Sequence, residues 1–152
     1  TLHAGFINTG VPHLVVPVRG LNTVDVEGLG RALRRHRMFQ PRGTNVDFIE
    51  SAGPGAARVR IRTYERGVEA ETLACGTGVT AAGVLQVLER PDPTGAVRRV
   101  HVQTRSGDVL TVSCRIDGRG DVARVRNVVL GGPVQRICEG LADWPRRDGN
   151  PC

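Results

Sequence analysis

The sequence predicts an α+β domain: a curved, mostly antiparallel, barrel-like sheet wrapped around one central apolar helix, with one amphipathic helix beside it. Three observations carry this prediction. The run Val79-Thr80-Ala81-Ala82-Gly83-Val84-Leu85-Gln86-Val87-Leu88 is apolar around nearly its whole circumference, so a helix formed by it must be enclosed. About six short segments of alternating or β-branched residues stand on either side of that run in the sequence, which is the pattern of strands. Finally, 152 residues with 39% hydrophobic and 24% charged content suit one domain with a sizeable core. Aromatic residues are only 3%, so the core must be built from Val, Leu, Ile and Ala.

Taken in order, residues 6–19 open a strand around Gly10-Val11-Pro12-His13 and continue through Leu14-Val15-Val16-Pro17-Val18. Residues 25–38 read as an amphipathic helix with an apolar stripe of Val26, Leu29 and Leu33 and with Asp25 or Thr23 as N-cap. Pro41-Arg42-Gly43 breaks the chain, Val46-Asp47-Phe48-Ile49-Glu50 forms a short strand, and Ser51-Ala52-Gly53-Pro54-Gly55 turns. Residues 57–65 alternate, with Val59, Ile61 and Thr63 on one side and Arg58, Arg60, Arg62 and Tyr64 on the other, so this strand is half-buried and its arginines are expected in solvent. After the apolar helix, Val100 to Thr104 and Val109 to Ile116 flank Arg105-Ser106-Gly107-Asp108 as a hairpin. Leu110, Val112, Cys114 and Ile116 point inward, which makes Cys114 a core residue. Asp117-Gly118-Arg119-Gly120 turns again, and residues 122–130 form a further strand before Gly131-Gly132-Pro133. The domain spans residues 1–140 on this reading. Residues 141–152 are a polar, peripheral tail with Trp144 patching the surface. The chain opens on Thr1 rather than Met, which fits a piece of a longer protein.

The net charge is +6, and all 21 basic residues are Arg. Most are scattered through strands with no aromatic residues interleaved for base stacking, so no nucleic-acid partner is expected. Arg31, Arg34, Arg35 and Arg37 have the spacing of a solvated helix face. No stretch is long and apolar enough to span a bilayer and no signal peptide is visible, so no membrane partner is expected. Cys75, Cys114, Cys138 and Cys152 are irregularly spaced, which points to reduced thiols and a cytoplasmic location. No Cys/His grouping has zinc-ligand spacing, so no metal is expected.

The chemistry concentrates at Glu71-Thr72-Leu73-Ala74-Cys75-Gly76-Thr77-Gly78, immediately before the apolar helix. The first N–H groups of a helix lack intrahelical partners and carry the positive end of its dipole, which makes an anion site. A thiol placed there is expected to become a thiolate, its pKa falling from about 8.5 into a range of about 3.5–7.5. The two glycines let another molecule approach the backbone. One element thus supplies a base and a cradle for the charge that develops when a proton is removed beside a carboxylate.

Gly10-Val11-Pro12-His13, Thr44-Asn45-Val46-Asp47-Phe48, Tyr64-Glu65-Arg66-Gly67 and Ala74-Cys75-Gly76-Thr77-Gly78 follow one another as in the C-terminal half of the diaminopimelate epimerases, and over residues 6–140 the chain resembles that family. The resemblance implies two similar halves, each a barrel-like shell around a helix, with the active site in the cleft between them and no cofactor. It implies two cysteines, one per half, that flank the substrate's α-carbon, one removing a proton and the other returning one. On this resemblance Cys75 is the catalytic cysteine of its half, and Gly76 and Thr77 are backbone donors to the reacting carboxylate. Glu65 and Arg66 contact substrate, His13 and Glu65 modulate cysteine protonation, and Asn45 anchors the distal end of diaminopimelate.

The chain departs from the family at Val11, where many members carry a substrate-contacting Asn; Asn8 or Thr9 are the neighbours that could compensate. It also lacks the N-terminal half with the second cysteine, so the isolated chain is expected to be inactive without that missing partner domain. Three alternatives stand beside this reading: another isomerase of the same fold, such as a proline racemase; a free-standing binding domain; and a homodimer that brings two Cys75 thiols together.

Overall fold

The computed structural model describes residues 3–51, 57–89, 96–118 and 123–141. Its strands are β1 (Gly5–Asn8), β2 (Pro12–Pro17), β3 (Asn45–Ser51), β4 (Arg58–Glu65), β5 (Ala70–Thr72), β6 (Arg98–Gln103), β7 (Val109–Asp117) and β8 (Arg124–Gly131). Its helices are α1 (Val26–Arg34) and α2 (Gly76–Leu88). One sheet runs β1-β2-β3-β4-β6-β7-β8, and β5 shares with β6 the same edge of β4. Two pairings, β2 with β3 and β4 with β6, are parallel and the rest are antiparallel. Each parallel pair requires a crossover. α1 lies in the first, and β5 with α2 in the second.

The two helices take opposite faces of this sheet, as strand alternation dictates. Val15, Ile49, Val59 and Ile61 point to the α2 side and join Val79, Ala82, Val84 and Val87 in the larger core. Leu14, Val16, Val46, Phe48 and Tyr64 point to the other side and pack with Leu21 and Val26 in the smaller one. α2 touches every strand of the main sheet order, so the sheet curls into a half-barrel around it, as the apolar run required. Cys114 lies buried in the α2 core, and β6 and β7 form the hairpin, closed by Gly107 at φ 94°.

Four features differ from expectation. The amphipathic helix stops at Arg34 instead of running on to Met38. The Gln40 amide donates to the Arg35 carbonyl, and Phe39, in a 3-10 turn, stacks on Phe6 at 5.5 Å, which draws the chain back toward β1. The helix buries Val26 and Gly30 and partly Leu33, while Leu29 is 51% exposed. Asp25 is the N-cap and accepts the Gly28 N–H at 2.9 Å. The arginines of the first half of the chain are not all solvated. The Arg62 side chain is only 13% exposed, because its side of β4 lies under the turn that leads into α1. It donates two bonds of 2.7 Å to Glu71 and one of 3.0 Å to each of the Leu21 and Val24 carbonyls. This bidentate contact holds the Glu71 carboxyl below its usual pKa. Arg34 likewise reaches Glu69 at 2.6 Å. Tyr64, assigned to the polar side of β4, is fully buried beneath α1, and its hydroxyl donates to the Glu69 carbonyl at 2.8 Å. Finally, β1 and β5 add two strands to the six expected, and residues 132–141 carry no regular structure. Residues 52–55 of the predicted turn, Arg119, Gly120, Val122 and the tail beyond Leu141, Trp144 included, lie outside the described residues. No helix among the described residues is long and apolar enough to cross a membrane.

Gly30 sets the distance between α1 and the sheet, since a methyl group there would overlap Cβ and Cγ of Tyr64. A Gly→Ala change inside a helix ordinarily stabilises by about 0.5–1 kcal/mol. Here Gly30→Ala is expected to do the reverse and cost about 1–3 kcal/mol through overpacking. Urea unfolding followed by circular dichroism measures the sign; a stabilised variant would mean that α1 does not sit on Tyr64.

Candidate active site

Cys75 is the N-cap of α2, with extended backbone at φ −132° and ψ 108°. Its approach is held from two sides. The Ser106 N–H in the β6–β7 turn donates to the Leu73 carbonyl at 3.1 Å, and the Thr9 hydroxyl in the β1–β2 turn donates to the Thr77 carbonyl at 3.0 Å. The first intrahelical bond runs from Val79 N–H to the Cys75 carbonyl at 2.9 Å. The N–H groups of Gly76, Thr77 and Gly78 therefore precede the helical ladder and face the end of α2. Gly76 is exposed there and Thr77 half-buried.

Beneath this helix start the α2 face of the sheet changes character. His13 has the parity of Val15, Asp47 that of Ile49, and Thr63 that of Ile61, so all three point at α2 where its neighbours are apolar. Both His13 and Asp47 are 0% exposed. Buried polar groups of this kind must be paired, and these are. His13 Nδ1 lies 2.7 Å from Asp47 Oδ2, and the Thr63 hydroxyl donates to Asp47 Oδ1 at 2.7 Å. On its other side His13 Nε2 lies 3.0 Å from the Thr77 hydroxyl oxygen, which is 3.4 Å from Cys75 Sγ. A continuous file of polar atoms thus runs from the sheet to the thiol. Gly78 makes room for it: a Cβ at that position would stand 2.5 Å from Asp47 Oδ1. Of the two motif glycines, Gly76 is open to an approaching molecule, whereas Gly78 is buried and serves the packing of α2 on Asp47.

The thiol is not the ready thiolate that a helix N-terminus suggests. Burial pushes the Cys75 thiol up, and the Glu65 and Asp47 carboxylates push it the same way by disfavouring a second negative charge. The Thr77 hydroxyl and the Gly78 N–H pull in the opposite direction without winning. The helix-end effect is real but is outweighed by desolvation and two nearby anions.

The remaining site residues sit at the turn after β4. The Asn45 side chain is nearly fully buried and works for the backbone: its Oδ1 accepts the Arg66 N–H at 2.8 Å and its Nδ2 donates to the Pro12 carbonyl at 3.1 Å. Asn45 therefore ties β2 to the Tyr64-Glu65-Arg66-Gly67 turn, with one amide hydrogen to spare. The Arg66 guanidinium donates to the Arg42 carbonyl at 3.3 Å and lines a groove of 390 Å³ together with Asn8, Gly10, Pro12 and Phe39. The structure brings Cys75, Thr77, His13 and Glu65 to one place and sets Arg66 on the adjoining groove. Asp47 and Thr63 had no role assigned from the sequence; of the two residues offered in place of the missing Asn at Val11, Thr9 donates to the Thr77 carbonyl and Asn8 accepts the Gly10 N–H. An acidic residue at the inward parity of a core strand was the available signal for Asp47, because such a carboxylate is buried only with partners. Among the described residues, no group of three or more His, Cys, Asp and Glu side chains is arranged to hold a metal ion.

Fold and site together define a domain that carries a half-buried thiol at the N-terminus of an enclosed helix, backed by a buried His–Asp pair. The family model described as diaminopimelate epimerase matches residues 5–135. Curated relatives named diaminopimelate epimerase include those of Aquifex aeolicus, 47% identical over 137 residues, and Hydrogenobaculum sp., 42% identical over 146 residues. These alignments cover 89% and 95% of this chain but 44% and 48% of the relatives. The Thermotoga maritima relative of the same name is 45% identical over 121 residues, covering 78% of this chain and 46% of its own. The chain belongs to the diaminopimelate epimerase family, and it spans about half the length of the curated relatives it matches.

Because the Cys75 pKa lies above the ordinary thiol value, the thiolate fraction at neutral pH is depressed, and its alkylation should keep accelerating above the pH where a free model thiol has levelled off. Glu65→Gln removes one opposing charge, so the Cys75 profile should move to lower pH and its rate at pH 7 should rise by up to about tenfold, the effect of one pKa unit. Iodoacetamide labelling resolved by peptide mass spectrometry reads the Cys75 profile; an unmoved or upward-shifted profile would remove Glu65 from the thiol's surroundings.

Proposed function

We propose that this chain is the C-terminal half of a cofactor-independent diaminopimelate epimerase, and that Cys75 supplies one of the two thiols that exchange a proton at the substrate's α-carbon. The observation that carries the reading is the placement of Cys75 at the N-cap of α2, where the Gly76, Thr77 and Gly78 N–H groups precede the helical ladder, inside the stretch that matches the family. In the reaction a thiolate takes the α-proton, so the C–H bond breaks and an S–H bond forms. The electron pair delocalises into the adjoining carboxylate, whose developing charge the Gly76 and Thr77 N–H groups are placed to stabilise. A thiol on the opposite face then donates its proton to carbon, which interconverts the LL and meso isomers. A Cys75 held as a thiol at rest suits the donating step, and the reverse direction requires it to become the thiolate.

His13 and Glu65 modulate the protonation of Cys75. Arg66 and the spare Asn45 hydrogen recognise the distal ammonium-and-carboxylate end of diaminopimelate, with the Arg66 guanidinium pairing to carboxylate. A role in lysine and peptidoglycan precursor synthesis places the protein in the cytoplasm. Two-base chemistry needs groups on both faces of one carbon, and the second thiol comes from an N-terminal half like that of the longer relatives. A second copy of this chain is the other source of an opposing thiol, and elution as a monomer would count against it.

The purified chain should therefore incorporate no deuterium at the α-carbon of diaminopimelate in D2O. The longer protein with both halves should do so, and Cys75→Ser in it should lower the rate by about 10²–10⁴-fold. Brisk uptake by the chain alone, measured by NMR or mass spectrometry, would overturn the two-domain requirement; uptake from proline instead would move the substrate assignment.

A further inference from the structure

The geometry points to a proton relay through Thr77 Oγ1 that connects the Cys75 thiol to a buried His13–Asp47 pair, with Asp47 as the positioning residue that sets the relay's direction. It rests on the reading of Cys75 as the reacting thiol and extends it to residues to which that reading gives no such role.

Direction follows from hydrogen-bond inventory. A carboxylate only accepts, and Asp47 accepts at both oxygens, from Thr63 at 2.7 Å and from His13 Nδ1 at 2.7 Å. In its neutral form the imidazole therefore carries its proton on Nδ1, and Nε2 is left as an acceptor. The Thr77 hydroxyl, 3.0 Å away, then donates to Nε2, and its oxygen is free to accept from the Cys75 S–H at 3.4 Å. Every donor in the file points toward Asp47. Burial enforces the Nδ1–H tautomer, because His13 and Asp47 are both 0% exposed and a reversed tautomer would set Nδ1 and the Asp47 carboxylate, two acceptors, against each other out of reach of solvent.

A proton can move along this file without net change in atoms or charge. The S–H bond of Cys75 breaks as an Oγ1–H bond forms on Thr77. The former Oγ1–H proton passes to His13 Nε2, and the product is a thiolate with an imidazolium paired to Asp47. Running backward, the relay reprotonates the thiol. Such a device answers the need of a reversible two-thiol reaction, in which Cys75 must both give and take a proton although burial favours the thiol. Among the described residues, the charged and titratable groups that bear on Cys75 are His13 on β2, Asp47 on β3 and Glu65 at the end of β4. Among them His13 alone can accept the proton through a bonded path.

The relay and simple electrostatics predict opposite signs for one substitution. Asp47 is an anion near the sulfur, so if charge alone matters, Asp47→Asn should make the thiol more acidic and speed its alkylation at pH 7. If the relay operates, the Asn amide faces Nδ1 with a donor, flips His13 to the Nε2–H tautomer, and slows alkylation by about tenfold, one unit in apparent thiol pKa. Thr77→Val should slow it comparably, and Thr77→Ser, which keeps the hydroxyl, should restore the rate to within about twofold. The experiment is the pH profile of Cys75 iodoacetamide labelling on the full chain, with ¹⁵N NMR of the His13 ring and circular dichroism to confirm that each variant is folded. An Nδ1–H tautomer in the unaltered chain with slowed Asn and Val variants supports the relay. Faster labelling of a folded Asp47→Asn, unchanged labelling of Thr77→Val, or an Nε2–H tautomer in the unaltered chain overturns it. The ring tautomer in the unaltered chain also decides the case if the Asn variant does not fold. Because the readout is thiol chemistry on this chain, it can fail while epimerisation by the longer protein stands, and the reverse.

Discussion

The enclosure of α2 is the constraint on which the rest of the structure depends. Its residues Val79, Ala81, Ala82, Val84 and Val87 are all buried, in directions all around the helix axis. One flat sheet can cover only one side of such a helix. Here strands from β1 to β8 reach it, and the sheet must curl to let them. The approach is close: a Cβ on Gly83 would stand 2.6 Å from Val112 Cβ. Each valine so enclosed contributes roughly 1.5–3 kcal/mol relative to exposure. With most of its flanks sealed, the helix is open at its start, where Gly76 is exposed and Cys75 stands.

The same alternation that builds the core also builds the site. Along β2, β3 and β4, inward positions are apolar until the start of α2 is reached, and there His13, Asp47 and Thr63 take their place. A partly bonded group at that depth would cost about 1–3 kcal/mol, so the file is closed end to end, from Thr63 through Asp47, His13 and Thr77 to the sulfur. Gly78 belongs to this arrangement as much as the polar residues do, since any side chain there would displace Asp47. The consequence is a thiol whose acidity is set by opposing effects: dipole, hydroxyl and N–H on one side, burial and two carboxylates on the other.

The outer layer positions the turn after β4. Tyr64-Glu65-Arg66-Gly67 places consecutive residues in three environments: Tyr64 under α1, Glu65 where its charge disfavours a thiolate at Cys75, and Arg66 on the groove. The Asn45 amide holds the turn at Arg66, and the Arg62–Glu71 pair locks β4 to β5 and to the carbonyls that lead into α1. Packing of α1 on Tyr64 through Gly30 therefore bears on where Arg66 stands, although neither touches the thiol.

Much of this was legible in the sequence, for a physical reason in each case. A run apolar on every side implies enclosure, a period of two implies β4, β6 and β7, and a Gly-rich segment before an apolar helix implies an open N-terminus with Cys75 on it. The motifs around His13, Asn45, Glu65 and Cys75 carried the family resemblance. What local pattern could not supply were consequences of neighbours distant in sequence. β1 and β5 are too short to show a period; α1 ends early because Phe39 finds Phe6; Arg62 is buried because the turn into α1 covers it. Tertiary structure alone decided the role of Asp47 and the state of the thiol, because both depend on how many charges and how little water converge on the start of α2, and β2, β3, β4 and α2 meet there only in the folded chain.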